Sequence, residues 1–424
     1  MRRNSGFTRI FVSPPDIAPK VRNQDGVDSR DSIVYQPSSG AITSNGTDSK
    51  WLGSIQYLRG IAALMIVVYH AIATANSYSG VSAIWDPTAF STFMPSGVDI
   101  FFIISGFLMV HITWSSSSPA RIDVAPLEFL LRRINRIYPP YWIYSFLFVA
   151  VFISGSVLGL TNSDIPGLAL VVKSLLLVPQ KEMPLIFVAW SLTYEVVFYL
   201  LFALALLLSN SRLSTVATAS AMLLTLVMTG FISRTGTVSA EAYNPLLNPL
   251  LVEFVFGMWL ALSWPGRWSS GRWFYVVSAL GGMGGAALLL STTLFLDGDE
   301  LGRAGYGQGR TLYWGLPAAL LVFCMVHLER LGTRFSFKPA LKLGDASYTL
   351  FLTHMTFIPI LAKLWSEIGL DDVLDSLLLV VLEIGFCLMM GLLLHSWIER
   401  PAIKTGRKFV AQLFLARRVS VTAN

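Results

Sequence analysis

Arg59 and His70 stand eleven residues apart in a stretch that is otherwise almost wholly apolar, Arg59-Gly60-Ile61-Ala62-Ala63-Leu64-Met65-Ile66-Val67-Val68-Tyr69-His70. On a helix this spacing is about 16 Å of rise and about three turns, so both side chains fall on roughly one face. Ionisable groups inside a membrane helix are costly, and their presence points to function. A histidine there can move a proton or attack as a nucleophile. An arginine that snorkels to the interface, with a histidine that bridges two helices, would give the same pattern.

Three further segments carry candidate chemistry. In Gly97-Val98-Asp99-Ile100-Phe101-Phe102-Ile103-Ile104-Ser105-Gly106-Phe107, Asp99 could orient a histidine. Ser105 could donate a hydrogen bond to substrate, and Ser105 with Gly106 permits close helix approach. The phenylalanines read either as packing or as an apolar wall for a thioester arm. In Arg132-Arg133-Ile134-Asn135-Arg136-Ile137-Tyr138-Pro139-Pro140-Tyr141-Trp142, three arginines precede a proline-marked helix start. Guanidinium forks suit phosphate oxygens, although charge anchoring and an aromatic belt account for the same residues. In Trp190-Ser191-Leu192-Thr193-Tyr194-Glu195, the carboxylate of Glu195 lies within a span, in the same half as His70, where the two could meet.

Other polar residues make weaker cases. Glu253 is a second carboxylate within a span, open to a structural role. Near the end, Gly344 reads as a break, Ser347 as the cap of the next helix, and His354 as a packed polar residue or a site residue. Glu399-Arg400-Pro401 reads as a helix stop. His111, His327 and His395 lack a motif. There is no HExxH metal pattern and no phosphate-binding glycine loop.

The elements that must hold these groups are membrane helices. The chain has 424 residues, of which 54% are hydrophobic and only 13% charged, against roughly 25% charged in soluble domains. Ten spans are expected, at 55–76, 95–114, 139–160, 187–208, 212–232, 246–264, 273–294, 311–328, 347–366 and 374–397, each long enough for a hydrocarbon core about 30 Å thick. The fold expected is an all-α, polytopic helical bundle. The segment 168–178 is apolar but short and contains Lys173, which suits an interfacial or re-entrant piece.

Charge orients this bundle. With both termini cytoplasmic, the inside loops collect Arg121, Arg132, Arg133, Arg136, Arg212, Arg267, Arg272, Arg330, Arg334, Lys338 and Lys342, while Asp297, Asp299, Glu300, Asp371 and Asp372 fall outside. The net charge of +6 is thus explained by orientation in a membrane, without nucleic acid. Residues 1–50 are polar, lack the apolar core of a signal peptide, and read as a disordered cytoplasmic tail. Residues 51–401 form the membrane domain, and 402–424 a short basic cytoplasmic tail. Cys324 and Cys387 sit in apolar runs as small core residues, with no disulfide framework in view.

Taken together, these segments resemble the membrane acyltransferase 3 family over roughly residues 52–401. Arg59 and His70 match its arginine–histidine signature. Phe101-Phe102 through Ser105-Gly106-Phe107 matches its Ser-Gly-Phe segment, and Arg133-Ile134-Asn135-Arg136 its paired-arginine motif. Trp190 through Glu195 and Gly344 through His354 look like further landmarks. The overall shape is similar to bacterial exopolysaccharide O-acetyltransferases and Nod-factor acyltransferases.

The resemblance implies acyl transfer from acyl-CoA, most often acetyl-CoA, to a hydroxyl of a lipid-linked or surface carbohydrate. It implies no permanently bound cofactor and a multi-pass protein of the bacterial inner membrane. Membrane lipids and polysaccharide assembly proteins are the partners it suggests. His70 would act as general base or nucleophile, with Glu195 or Asp99 orienting it. Arg133 and Arg136 would hold the coenzyme A phosphates, with Arg59, Ser105 and Tyr138 completing the donor site. Some relatives carry a soluble SGNH-type domain, whereas here only a short tail follows Pro401, so the membrane domain is expected to complete transfer alone. The competing classes are a transporter, for which inverted repeats are the signature and none is evident, and a noncatalytic scaffold.

Overall fold

A computed structural model of the chain describes residues 51–78, 93–114, 124–157, 167–180, 182–233, 246–263, 272–295, 309–367 and 373–422. The expected N-terminal tail lies outside these residues, as do Arg121, Arg267 and the acidic loop residues Asp297, Asp299, Glu300, Asp371 and Asp372. The described residues are helical: α1 (Gly53–Tyr78), α2 (Gly97–Thr113), α3 (Pro126–Val157), α4 (Leu168–Leu175), α5 (Trp190–Leu208), α6 (Arg212–Ser233), α7 (Leu251–Ser263), α8 (Arg272–Phe295), α9 (Leu316–Arg330), α10 (Lys338–Ser366), α11 (Val373–Leu394) and α12 (Arg400–Thr422). Eight helical stretches among them are long and apolar enough to cross a membrane. The protein is a polytopic helical membrane bundle.

Two of the ten expected spans fall short of that measure. The apolar helix α7 has 13 residues, about 20 Å at the helical rise. In α10 the stretch 347–366 carries Ser347, Thr349, Thr353, His354, Thr356 and Lys363, which lower its hydropathy.

Two expected helix starts are also corrected. α3 begins at Pro126, thirteen residues before the expected 139, and runs through Pro139 and Pro140. The prolines remove two backbone donors, yet neighbouring side chains can compensate in a membrane bundle. The carbonyls that lose their intrahelical donors are those of Asn135 and Arg136, and the Tyr348 hydroxyl donates to the next one, Ile137 O, at 2.8 Å, tying this part of α3 to α10. The arginines therefore ride on the helix rather than ahead of it. Likewise, Gly344 does not break the chain and Ser347 caps nothing, since both are buried within α10. The basic tail also folds, as α12, extending the chain past its turn at His395–Glu399.

Gly344 serves close packing instead. A Cβ built there would collide with the Gln56 carbonyl of α1, and one on Gly60 would stand 3.1 Å from Gly344 N. The facing pairs Gly60–Gly344 and His70–His354 are both offset by 284 residues. Equal offsets mean that α1 and α10 run parallel and in register, packed through small residues. The start of α1 is anchored by Glu329 of α9, whose carboxylate accepts from Gly53 N at 2.8 Å, Ser54 N at 2.9 Å and Ser54 Oγ at 2.6 Å. This satisfies exposed helix N–H groups with an anion placed at the positive end of the dipole.

A second glycine pair joins α2 to α7. Cβ atoms on Gly106 and Gly257 would strike the backbones of Phe254 and Ile103 respectively. Phe102 and Phe254 stack with ring centres 4.6 Å apart beside this contact. Aromatic side chains thus fill the space around two backbones in contact.

Gly344→Val should force α1 and α10 apart. Overpacking of this kind costs about 1–3 kcal/mol. Thermal unfolding of the detergent-solubilised protein should shift to lower temperature. Gly284→Ala is the control, because a Cβ there meets nothing within 4 Å, and its unfolding temperature should not fall.

Candidate active site

Helices α1, α2, α3, α5 and α10 enclose a cavity of about 160 Å³. Arg59, Ser105, Arg133, Arg136 and Glu195 all line it, so five of the eight residues singled out in the sequence meet in one place. The helical path of α3 explains the arginines: positions 133 and 136 are one turn apart on one side. Ser105 Oγ donates to Glu195 Oε1 at 3.0 Å and lies 3.3 Å from the Tyr199 hydroxyl, which also donates to Glu195. The Arg133 guanidinium carbon is 6.0 Å from the centre of the Tyr199 ring. Tyr199 is a site residue that sequence reasoning missed, although its place one helical turn after Glu195 was the available signal.

Two residues of the wall carry polar atoms that the protein leaves without partners. Arg133 Nε and Ser347 Oγ are buried without hydrogen-bond partners. Three guanidinium groups against one carboxylate on the lining favour an anionic visitor. Phe101, Phe102 and Phe351 form the apolar part of the wall.

His70 stands three turns from Arg59 on α1, outside this lining. Its Nδ1 is 2.9 Å from the Ile66 carbonyl and 3.2 Å from His354 Nε2. His354 is fully buried on α10, and its Nδ1 is 3.1 Å from the Leu350 carbonyl. Phe351 links the two regions, lining the cavity while its ring centre lies 6.1 Å from that of His354. Thus α1 presents Arg59 to the cavity and His70 to His354, which Phe351 joins to the cavity wall.

Comparison with known proteins identifies the family. The family profile described as "Acyltransferase domain" of acyltransferase family 3 matches residues 52–398. The chain belongs to the membrane acyltransferase 3 family. It is 32% identical over 324 residues to the exopolysaccharide production protein ExoZ of Rhizobium meliloti, covering 74% of this chain and 90% of ExoZ. It is 25% identical to the putative peptidoglycan O-acetyltransferase YrhL of Bacillus subtilis, over 87% of this chain and 57% of YrhL. To the O-acetyltransferase OatA of Staphylococcus aureus strain MRSA252 it is 26% identical, over 88% of this chain and 60% of OatA. The chain therefore spans only about three fifths of the latter two. No solved structure matches it. The protein is an acyltransferase whose donor is acyl-CoA.

Three sequence expectations about this acyltransferase need correction. Asp99 does not meet His70. It is fully buried against Arg310, which reaches its carboxylate through Nε at 3.2 Å and Nη2 at 2.7 Å. Arg310 also donates to the Pro95 carbonyl at 3.0 Å and lies 4.9 Å from the Trp314 ring centre. A buried carboxylate takes a cation when one is in reach, and the signal overlooked was a lone arginine at the head of an apolar run. Glu195 likewise hydrogen-bonds Ser105 and Tyr199 rather than His70. Tyr138 is outside the cavity lining, and its hydroxyl donates to the Leu176 carbonyl at 3.0 Å, just past the end of α4.

Another missed residue is Glu399. Its Oε1 accepts from Arg136 at 2.5 Å, and its Oε2 lies 2.6 Å from Thr349 Oγ1 and 2.7 Å from His395 Nδ1. The carboxylate is fully buried and holds Arg136 against the cavity from behind. It was read as part of a helix stop because nothing local in sequence connects it to position 136.

Removing one member of the Asp99–Arg310 pair should strand a buried charge, at about 3–5 kcal/mol. Asp99→Leu and Arg310→Met alone should each lower the unfolding temperature of the purified enzyme sharply. The double variant should recover most of the stability and, with it, acyl transfer. A stable but inactive double variant would return Asp99 to the chemistry.

Proposed function

We propose that this protein is an O-acetyltransferase of the bacterial inner membrane that moves an acetyl group from acetyl-CoA to a hydroxyl of a lipid-linked or surface carbohydrate. The observation that carries this reading is the arrangement along α1, where Arg59 enters a cavity lined by three arginines and His70 stands one aromatic layer away. Support for the carbohydrate acceptor comes from the likeness to ExoZ and to the two O-acetyltransferases.

On this reading, Arg133 and Arg136 bind phosphate oxygens of the donor with fork-shaped donor groups. Arg59 steers the donor along α1, and Ser105 with Glu195 lines the path of its arm. His70 Nε2 removes the proton from the acceptor hydroxyl as its oxygen attacks the thioester carbonyl. The carbon–sulfur bond breaks, and the proton passes from His70 to the departing thiolate. The products are an acetyl ester and free coenzyme A, so no other reactant is needed. The thioester is already activated, which leaves positioning and proton transfer as the enzyme's tasks.

The Arg59 end of α1 is cytoplasmic on this reading, where coenzyme A is made, and both chain termini share that side. The excess of basic residues in alternate loops supports the assignment. Contacts with polysaccharide assembly proteins and specific lipids would follow from work on a lipid-linked acceptor. Residues 51–401 form the catalytic membrane domain, flanked by a polar N-terminal tail and the basic α12.

Transfer of radiolabelled acetyl groups by purified protein tests the assignment. His70→Ala should lower kcat by about 10²–10⁴-fold, the usual contribution of a general base. Arg133→Ala should instead raise the KM for acetyl-CoA by more than tenfold. Full turnover by the His70 variant would sink the catalytic assignment. Loss of a carbohydrate ester in cells lacking the protein, restored by the wild-type chain, would identify the acceptor.

A further inference from the structure

The two histidines determine each other's chemistry. A carbonyl oxygen only accepts hydrogen bonds, so the 2.9 Å contact to Ile66 O requires His70 Nδ1 to carry its proton. The 3.1 Å contact of His354 Nδ1 with Leu350 O places the proton there in the same way. His354 Nε2 is then a bare acceptor, and it stands 3.2 Å from the protonated Nδ1 of His70. His70 Nδ1–H is shared between Ile66 O and His354 Nε2. The only ring nitrogen of His70 left with a lone pair is Nε2, which makes no hydrogen bond within the described residues.

We propose that His354 is a positioning residue for acyl transfer, holding His70 as the Nδ1–H tautomer and sharing the charge that forms on it. This rests on the reading of His70 as the general base. When His70 Nε2 takes the acceptor proton, the imidazolium keeps its Nδ1–H directed at His354 Nε2. The bond strengthens as charge develops, which favours the transition state over the ground state. His354 plays the part that a carboxylate plays beside other catalytic histidines, but with a neutral ring. A neutral partner adds no charge to a site that is fully buried on the His354 side. The same pair cannot be exchanged for Asp99 or Glu195, since each is already hydrogen-bonded elsewhere.

The register of α1 and α10 makes the pair persistent. Both rings are bonded to carbonyls one turn back on their own helices, and the helices are locked at Gly60 and Gly344 ten residues away. His70 is further packed by Phe187, with ring centres 6.2 Å apart in an edge-on arrangement. The imidazole is therefore held in rotation and in tautomer before substrate arrives.

His354→Phe and His354→Gln, measured with the full-length purified enzyme, test this. Phenylalanine keeps a ring but offers no acceptor, whereas glutamine offers an amide oxygen. His354→Phe should lower kcat at least tenfold while the KM for acetyl-CoA stays within twofold, and His354→Gln should recover most of the loss. The ¹⁵N resonances of His70 should report the Nδ1–H tautomer in wild type and in His354→Gln, and a larger Nε2–H fraction in His354→Phe, where Ile66 O alone is left to favour Nδ1–H. A kcat within twofold of wild type in His354→Phe, with His70→Ala inactive, would overturn the role of His354 and leave that of His70 intact. Full turnover by His70→Ala would instead remove the reading beneath it. Should His354→Phe fail to fold, a wild-type spectrum showing the Nε2–H tautomer of His70 would by itself overturn the proposal.

Discussion

Because neither Gly60 nor Gly344 carries a Cβ, α1 and α10 reach backbone contact and run side by side in fixed register. Nearly everything of chemical interest is set by that contact. It leaves Arg59 on the cavity and brings His70 onto His354. It also turns Tyr348 and Phe351 of α10 toward the same cavity. From there the Tyr348 hydroxyl reaches α3 at Ile137 and Thr349 reaches Glu399. A shift of one residue between the helices would rotate the histidines apart by about 100°, since a helix turns once in 3.6 residues. Small residues at the contact are thus as necessary to the site as the groups that line it.

Electrostatic cost explains how the remaining charges are spread. An ion in an apolar interior must be paired or it will be neutralised. Asp99 with Arg310 holds the start of α2 to the start of α9, and Arg136 with Glu399 holds α3 to the turn before α12. Pairs of this kind add little net stability, but breaking one is costly. They behave as latches that select one packing of the bundle. The cavity lies among these fixed points, lined by Arg59 and Arg133 in addition to the latched Arg136. Holding the helices together and receiving an anion are thus assigned largely to different residues.

Much of the site was legible in sequence because it is local. The eleven-residue spacing from Arg59 to His70 survives folding as helical rise. The run around Arg133 and Arg136 needed only to be helical to put both on one side. Glu195 could be picked out as a lone carboxylate in an apolar run. What could not be read were partners. Asp99, Glu195 and His70 all looked available to one another, and each found something closer. The sequence positions of Arg310, Tyr199 and His354 do not disclose distance, and only the packing of helices decides among them. Boundaries failed for a different reason. Pro139 and Gly344 read as boundaries, but α3 continues through the one, and the missing side chain of the other serves close approach.

The separation of the arginines from the histidines fits the demands of a thioester donor. Phosphates must be met by cations that keep some contact with water, whereas the thioester carbonyl benefits from a dry site where a stray water cannot intercept the acyl group. One compact pocket would serve one requirement at the expense of the other. The extended pantetheine arm allows them to be met at two places, and a helix is the simplest rigid spacer between two such places. In the proposed mechanism α1 is that spacer, about 16 Å long between its two functional side chains. Phe101 and Phe351, with ring centres 5.9 Å apart, belong to the apolar wall of the cavity. On this reading the thin, largely uncharged arm follows that apolar wall while the charged nucleotide end stays among the arginines, so the reactive group reaches His70 with its charges left behind.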